Sequence, residues 1–496
     1  MQALALSRAG AGRWHLAICA GFGHNTDMTA PSSPATRSHD RRRLAKIAGL
    51  ALVTGATALA AFTAMEPRMA ATAVLTVVCI GLWATALVPE YWTGFAFFLA
   101  AMLLHLAPAE VVFSGFHSST FWLLFSGLVL GAAIKHTGLG KRSAALLARM
   151  LGRRYWQVIA GIVLFGVGLA FIMPSSMGRV VMLVPIIIAL ADHMGYGPDD
   201  KGRIGMLMAG AFGTFAPAFT ILPANVPNMI LTGMAEAQYG QHLSYFTYML
   251  LHFPVLGALK AGVVVGLILW LFPDRDPAPV PADDRAATPM NASERRLIAL
   301  LALALLLWFT DALHGMSPAW VGLGAALYAL WPGSGLTSKT VLNEDISYGP
   351  LFFIAAIMGL GAVSSATGLG ETLVAMMSEQ AGFATDRPVG NVVGLALIST
   401  LVATVTNLPS VPAIMTPLAG ELAVATGLPL ATVLMTQVLA FSNVLLPHQA
   451  PPLVMATQVA KLPSGALLRM TLSLFALTLL VLTPLDLVWW HVLGLL

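Results

Sequence analysis

Apolar runs fill this chain from about residue 45 to its end, and several of them stop halfway at a proline. The sharpest interruption is Phe171 to Pro185, FIMPSSMGRVVMLVP, where a lipid-compatible segment is cut by Pro174, Ser175 and Ser176 and carries Arg179 just beyond. Polar, proline-broken backbone survives at membrane depth only where it is buried in protein or lines a cavity. An ionisable side chain there marks a functional position by default. Such a stretch fits the tip of a re-entrant hairpin facing a substrate.

Composition agrees with a membrane-embedded fold. Of 496 residues, 57% are hydrophobic and 10% are charged, against roughly 25% charged in a soluble domain. The net charge of +4 is too small to imply nucleic acid as a partner. Cys19 and Cys79, the two cysteines, exclude a disulfide framework or a cysteine metal site. Residues 1–44 are polar and end in Arg41, Arg42 and Arg43. They read as a disordered cytoplasmic tail, with Met28 as an alternative start.

The expected architecture is an all-α polytopic membrane protein with about eleven transmembrane helices plus two re-entrant hairpins. Residues 45–273 form the first half, with a hairpin at 155–194. A Pro/Ala/Asp-rich cytoplasmic linker covers 274–294. Residues 295–496 form the second half, with a hairpin at 388–426. Basic residues favour the cytoplasmic side. Arg41 to Lys46 place the N-terminus there, the cluster from Lys135 to Arg154 follows the fourth crossing, and the C-terminus is expected outside. The interval Thr367 to Arg387 reads as an external loop.

Three internal matches define two repeats. GAAIKHTGLG at 131–140 matches GAVSSATGLG at 361–370, with Thr137 and Thr367 230 residues apart. Pro185 and Pro417 are 232 residues apart, and ILPANVPNMI at 221–230 matches LLPHQAPPLV at 445–454. The basic pattern puts the first TGLG inside and the second outside, so the repeats are inverted in topology, as in alternating-access carriers.

Four breaks are expected to meet at the midplane. They are the tip around Ser175, Ser176 and Met177; Leu222 to Asn228, with Pro223, Asn225, Pro227 and Asn228; the second tip from Thr406 to Ser410, with Asn407 and Pro409; and Asn443 to Pro452, with Pro447, His448 and Gln449. Prolines release carbonyl oxygens, while Ser, Thr and Asn add donors and acceptors. Each hairpin's second arm starts a helix whose N-terminal amides favour an anion. Arg179 reads as a countercharge to a carboxylate or as a fixed cation standing in the place of a coupling ion. His448 suits a proton or a substrate hydrogen bond.

Acidic residues fall outside span centres. Glu90, Glu110, Asp192, Glu236, Asp311 and Glu371 lie near ends or in loops, Glu421 in an outer hairpin arm, and Asp486 in a peripheral last span. This argues against a sodium/proton antiporter. Walker A, zinc and nucleophile motifs are missing, so the chain does not read as an enzyme and no cofactor is expected.

At these residues the chain resembles the divalent anion–sodium symporter family over roughly residues 45–496. PSSMGR at 174–179 is similar to the family's Ser-Asn-Thr tip, with Ser175, Ser176 and Met177 on its three positions and Arg179 on a following arginine. Asn407, Leu408 and Pro409 take the same positions in the second tip. Neither tip keeps Ser-Asn-Thr itself. The resemblance implies eleven crossings, two hairpins, and a homodimer in which a scaffold holds a mobile transport domain. It further implies a cation near Ser175, Thr214 and Pro223, and another near Thr406, Asn407 and Asn443. The function expected is secondary transport of small anions, di- or tricarboxylates, by an elevator motion coupled to sodium or protons in the inner membrane. An anion exchanger, an exporter of an inorganic oxyanion and a channel stay open as alternatives.

Overall fold

Helices packed in reciprocal pairs make up this protein. The computed structural model describes residues 34–140, 142, 152, 154–173, 175–278 and 289–496; side chains of 34–42, Ser378 and Glu379 are not among those described. Pro174, most of the basic cluster from Lys141 to Arg153, the core of the expected linker and the first 33 residues lie outside that description. Among the described residues there is no strand, and nine helices are long and apolar enough to cross a membrane. Three of these, Tyr155–Ile172, Ser176–His193 and Pro388–Val405, are arms of the expected hairpins.

The repeat is visible in which helices touch. Ser119–Thr137 packs on Pro318–Leu330, and its counterpart Gly349–Ala366 packs on Glu90–Leu103. Tyr155–Ile172 lies on Lys201–Phe215, and Pro388–Val405 lies on Leu430–Phe441. Pro451–Ala460 lies on Ser176–His193, and Val226–Tyr239 lies on Ser410–Met415. These contacts between halves therefore come in mirrored pairs. The TGLG signature has a local cause. Thr137 Oγ1 donates to Ala133 O at 2.9 Å and Thr367 Oγ1 to Val363 O at 2.9 Å, closing two helix ends. The following Gly138 and Gly368 have φ of 81° and 74°, a left-handed conformation that glycine adopts without a Cβ clash.

The two broken helices form the centre. Every residue from Gly205 to Asn225 is buried, as is every residue from Thr432 to Val444. A helix apolar all round belongs in such an interior. Small residues let neighbours come close: a Cβ on Gly166 would lie 2.8 Å from the Gly213 carbonyl carbon and Thr214 N. Ring centroids of Phe219 and Phe441, at corresponding ends of the two broken helices, are 5.8 Å apart.

Four expectations change. Residues 34–44 are helical, as the start of Pro34–Ala64, because Ala35, Leu44 and the arginines there are good helix formers. The interval expected as a loop contains the helix Leu369–Ala381, whose Leu369 buries against Ala61, Ala70 and Ala73. The second hairpin's outer arm is two helices, Ser410–Met415 and Ala419–Thr426, since Pro417 removes an amide donor where Pro185 is absorbed within Ser176–His193. Asp486 is not peripheral; it is fully buried.

Candidate functional site

Arg179 ties the first two breaks together. Its side chain is 0% exposed. Nε donates to Thr214 O at 3.3 Å, and Nη2 to Thr214 O at 3.0 Å, Ala224 O at 3.2 Å and Ser176 Oγ at 2.8 Å. Nη1 donates to Met173 O. The guanidinium thus sits in a cage of main-chain oxygens from the end of one hairpin arm, the end of the first broken helix and the Leu222–Ala224 turn. These are carbonyls that helix ends leave without intrahelical partners. No carboxylate pairs with Arg179 among the described ion pairs.

The neighbouring polar residues build the loop itself. Ser175 caps the helix Ser176–His193 by accepting from Gly178 N at 3.1 Å, and Ser176 Oγ reaches Ala224 O at 3.4 Å. Met177 is half-buried. Asn225 caps Val226–Tyr239, with Oδ1 accepting from Asn228 N at 3.2 Å. Asn228 Nδ2 donates to Ala218 O at 3.1 Å and Ile221 O at 2.8 Å. Asn225 Nδ2 and Asn228 Oδ1 have no hydrogen-bond partner although buried. Pro223 and Pro227 are buried in the turn and the first helical positions that follow it. Thr214 satisfies its hydroxyl on Gly210 O at 2.9 Å, so its carbonyl is what it contributes.

The third and fourth breaks also meet, and among the described residues no cationic side chain bridges the two. Leu408 N donates to Gln449 O at 3.2 Å. Asn407 Oδ1 accepts from Ser410 N at 3.1 Å and Ser410 Oγ at 2.8 Å. Thr406 Oγ1 donates to Val402 O at 2.6 Å. Gln449 Oε1 accepts from Leu445 N at 2.8 Å and Leu446 N at 2.6 Å. Asn443 Oδ1 and Gln449 Nε2 are buried without partners. Pro409 and Pro447 are half-buried, and His448 is exposed. The helix starting at Ser410 has six residues, too short for the terminal dipole expected of a long arm.

Two residues of this region were not singled out by sequence. Tyr239 Oη donates to Thr416 O at 2.9 Å and Pro417 O at 3.0 Å and accepts from Gly420 N at 3.1 Å, filling the break in the second outer arm. Gln437 Oε1 accepts from Thr416 Oγ1 at 2.9 Å. The signal for both was Pro417, whose missing amide requires a substitute partner nearby. A cavity of about 620 Å³ lies elsewhere, between Ala292–Phe309 and Pro318–Leu330. It is lined by Leu300, Leu307, Trp320 and Tyr328, with Arg296 at its edge.

A membrane protein of Cupriavidus necator is 23% identical over 281 residues, 55% of this chain and 54% of that protein. An L-tartrate/succinate antiporter of Escherichia coli is 26% identical over 270 residues, 52% of this chain and 54% of that protein. The chain thus spans about half the length of the curated relatives it matches. The solved YdaH transporter of Alcanivorax borkumensis aligns with 77% of this chain and 87% of that one, at 19% identity and a TM-score of 0.49. A family model described as the sodium:sulfate symporter transmembrane region matches residues 43–496. The chain belongs to that family, the divalent anion–sodium symporters that its hairpin tips resemble.

Proposed function

We propose that this protein is a secondary active transporter of small dicarboxylates in which Arg179 supplies, as a built-in cation, the charge that a coupling ion would bring to the first hairpin tip. The observation carrying this is the oxygen cage around the guanidinium. Its oxygens come from Met173, Thr214, Ala224 and Ser176, hard neutral donors of the kind that hold a small cation. Between the two readings of Arg179, the fixed cation is favoured, since most of its N–H groups are already committed. The dicarboxylate class draws on the E. coli relative, an L-tartrate/succinate antiporter. The helix N-termini at Ser176 and Val226, beside the buried positive charge, favour an anion.

The remaining features fit an elevator. The two hairpins and two broken helices would move as a transport domain, with re-entrant hairpins and an inverted repeat. The helices Pro67–Leu103 and Ala292–Leu330 would form the scaffold and a homodimer face. Exposed Trp92, Phe95, Trp320 and Tyr328 suit either that face or lipid. The N-terminus would be cytoplasmic and the C-terminus external in a plasma membrane.

Proteoliposomes loaded with succinate and given external radiolabelled succinate or L-tartrate test this. Saturable counterflow is expected in sodium-free choline buffer. An absolute sodium requirement would remove the built-in cation, and non-saturable flux would indicate a channel.

A further inference from the structure

Three buried ionisable side chains take no part in the site above. His252, Lys260 and Asp486 are at most 1% exposed and lie in the two longest membrane-spanning segments, Tyr245–Leu271 and Ser464–Val492. His252 Nδ1 is 3.8 Å from Asp486 Oδ2. Neither Asp486 oxygen has a hydrogen-bond partner, and His252 Nδ1 has none. Lys260 Nζ donates to Ser442 O at 2.6 Å, at the end of the second broken helix.

The surroundings hold few other charges. Trp490 of the same helix packs edge-on to His252 at 5.6 Å and has an unpartnered Nε1. The Tyr248 ring packs 4.8 Å from the His252 ring, and its hydroxyl is committed to Phe219 O at 2.9 Å. Leu430–Phe441 brings no ionisable side chain, only Met435, whose sulfur is 3.3 Å from His252 Nε2. Asp311 binds the far end of Tyr245–Leu271, accepting from Ser244 Oγ at 3.0 Å and Tyr245 N at 2.5 Å, and Arg469 of Ser464–Leu477 is exposed.

The backbone is unusual at the same place. Phe253–Leu259, between His252 and Lys260, and Thr478–Leu482, just before Asp486, are both π-helical. They occupy corresponding positions in the two repeats and touch each other. π-helical turns recur at functional positions. A buried carboxylate without hydrogen bonds costs several kcal/mol when ionised, so its charge must be answered by Lys260, by His252 or by a proton.

We propose that His252, Asp486 and Lys260 form a proton-binding site that loads and unloads during transport. Loading adds one proton from water to a carboxylate oxygen of Asp486, with His252 Nδ1 3.8 Å away. Unloading returns it to water, and no other bond changes. The hydrogen bond from Lys260 to Ser442 ties the charge state of the cluster to the break beside Asn443. A dianion would then cross with one negative charge offset. This rests on the transport reading above and assigns its coupling ion.

Infrared difference titration of the purified full-length protein between about pH 5 and about pH 9 reads the site directly. A titrating carboxylic C=O band is expected in the wild type, lost in Asp486→Asn and shifted in Lys260→Met. Where Asp486→Asn fails to fold, His252→Gln must shift the same band. A band unchanged in these variants, or none that titrates, overturns the proposal. In proteoliposomes, Asp486→Asn should keep succinate counterflow within about twofold while uptake driven by an inward proton gradient falls about tenfold or more. Equal loss of both overturns the link to transport. A titrating band with no succinate counterflow in the wild type instead refutes the dicarboxylate reading and leaves the proton site standing.

Discussion

The two hairpin tips share a topology and differ in what fills them. At the first, a guanidinium satisfies the carbonyls of Met173, Thr214 and Ala224. At the second, Asn407 and Gln449 join the loops through neutral hydrogen bonds, and Asn443 Oδ1 and Gln449 Nε2 are left open. Helix ends oblige both tips to expose oxygens to one another. A fixed charge joins the loops at one tip and neutral side chains join them at the other; each pair of loops keeps two buried polar atoms without partners, Asn225 Nδ2 and Asn228 Oδ1 at the first and Asn443 Oδ1 and Gln449 Nε2 at the second.

The sharpest way to break this contrast is Arg179→Ala. It strips hydrogen-bond partners from three buried carbonyls, each costing about 1–3 kcal/mol. We expect counterflow to disappear and thermal unfolding to fall by several degrees. Sodium should then recover part of the lost stability, because the vacated cage is a cation site. Equal melting in sodium and choline chloride would mean that the oxygens are not arranged for an ion.

Asn407→Ala probes the neutral tip. Asn407 Oδ1 holds Ser410 N and Oγ, hydrogen bonds whose loss costs about 1 kcal/mol. Stability should drop by roughly that amount, while apparent affinity for the dicarboxylate weakens about tenfold, read as a shift in half-saturating succinate. Tyr239→Phe should cost less in transport. It removes one hydroxyl from the Pro417 break, at about 1 kcal/mol, and leaves both tips intact. Melting temperature should fall while half-saturating succinate stays put; a change in affinity instead would place the Pro417 break in the substrate path.

Much of this contrast is legible in the sequence, and the reason is covalent. Proline removes an amide wherever it stands, so Pro223, Pro409 and Pro447 mark the breaks without reference to tertiary structure. The TGLG pairs mark helix ends because only glycine takes the following left-handed position easily. What Arg179 binds was not legible, since Thr214 and Ala224 offer carbonyls that every residue possesses. Asp486 was misplaced as peripheral because a last span has no marked face until its neighbours are known. Lys260 did carry a signal, a lysine deep in a 27-residue apolar segment, whose burial turns on the facing Ser442 carbonyl and Asp486. His448 is exposed, beside the buried Gln449 and Ala450.

The smallest effect should come from Met177→Thr. This restores the threonine that the family's tip motif has at the first hairpin, and on sequence grounds alone it ought to bring back a sodium site. The geometry says otherwise. Met177 is half-buried and takes no part in the Arg179 cage, so the added hydroxyl finds the cation position occupied. Stability should change by within about 0.5 kcal/mol, and counterflow in choline should match the wild type. Paired with Arg179→Ala, the same substitution should strengthen sodium's stabilising effect beyond that of the single variant. If Met177→Thr alone made transport sodium-stimulated, the ion would have found room beside the guanidinium, and the two tips would differ in sequence without differing in kind.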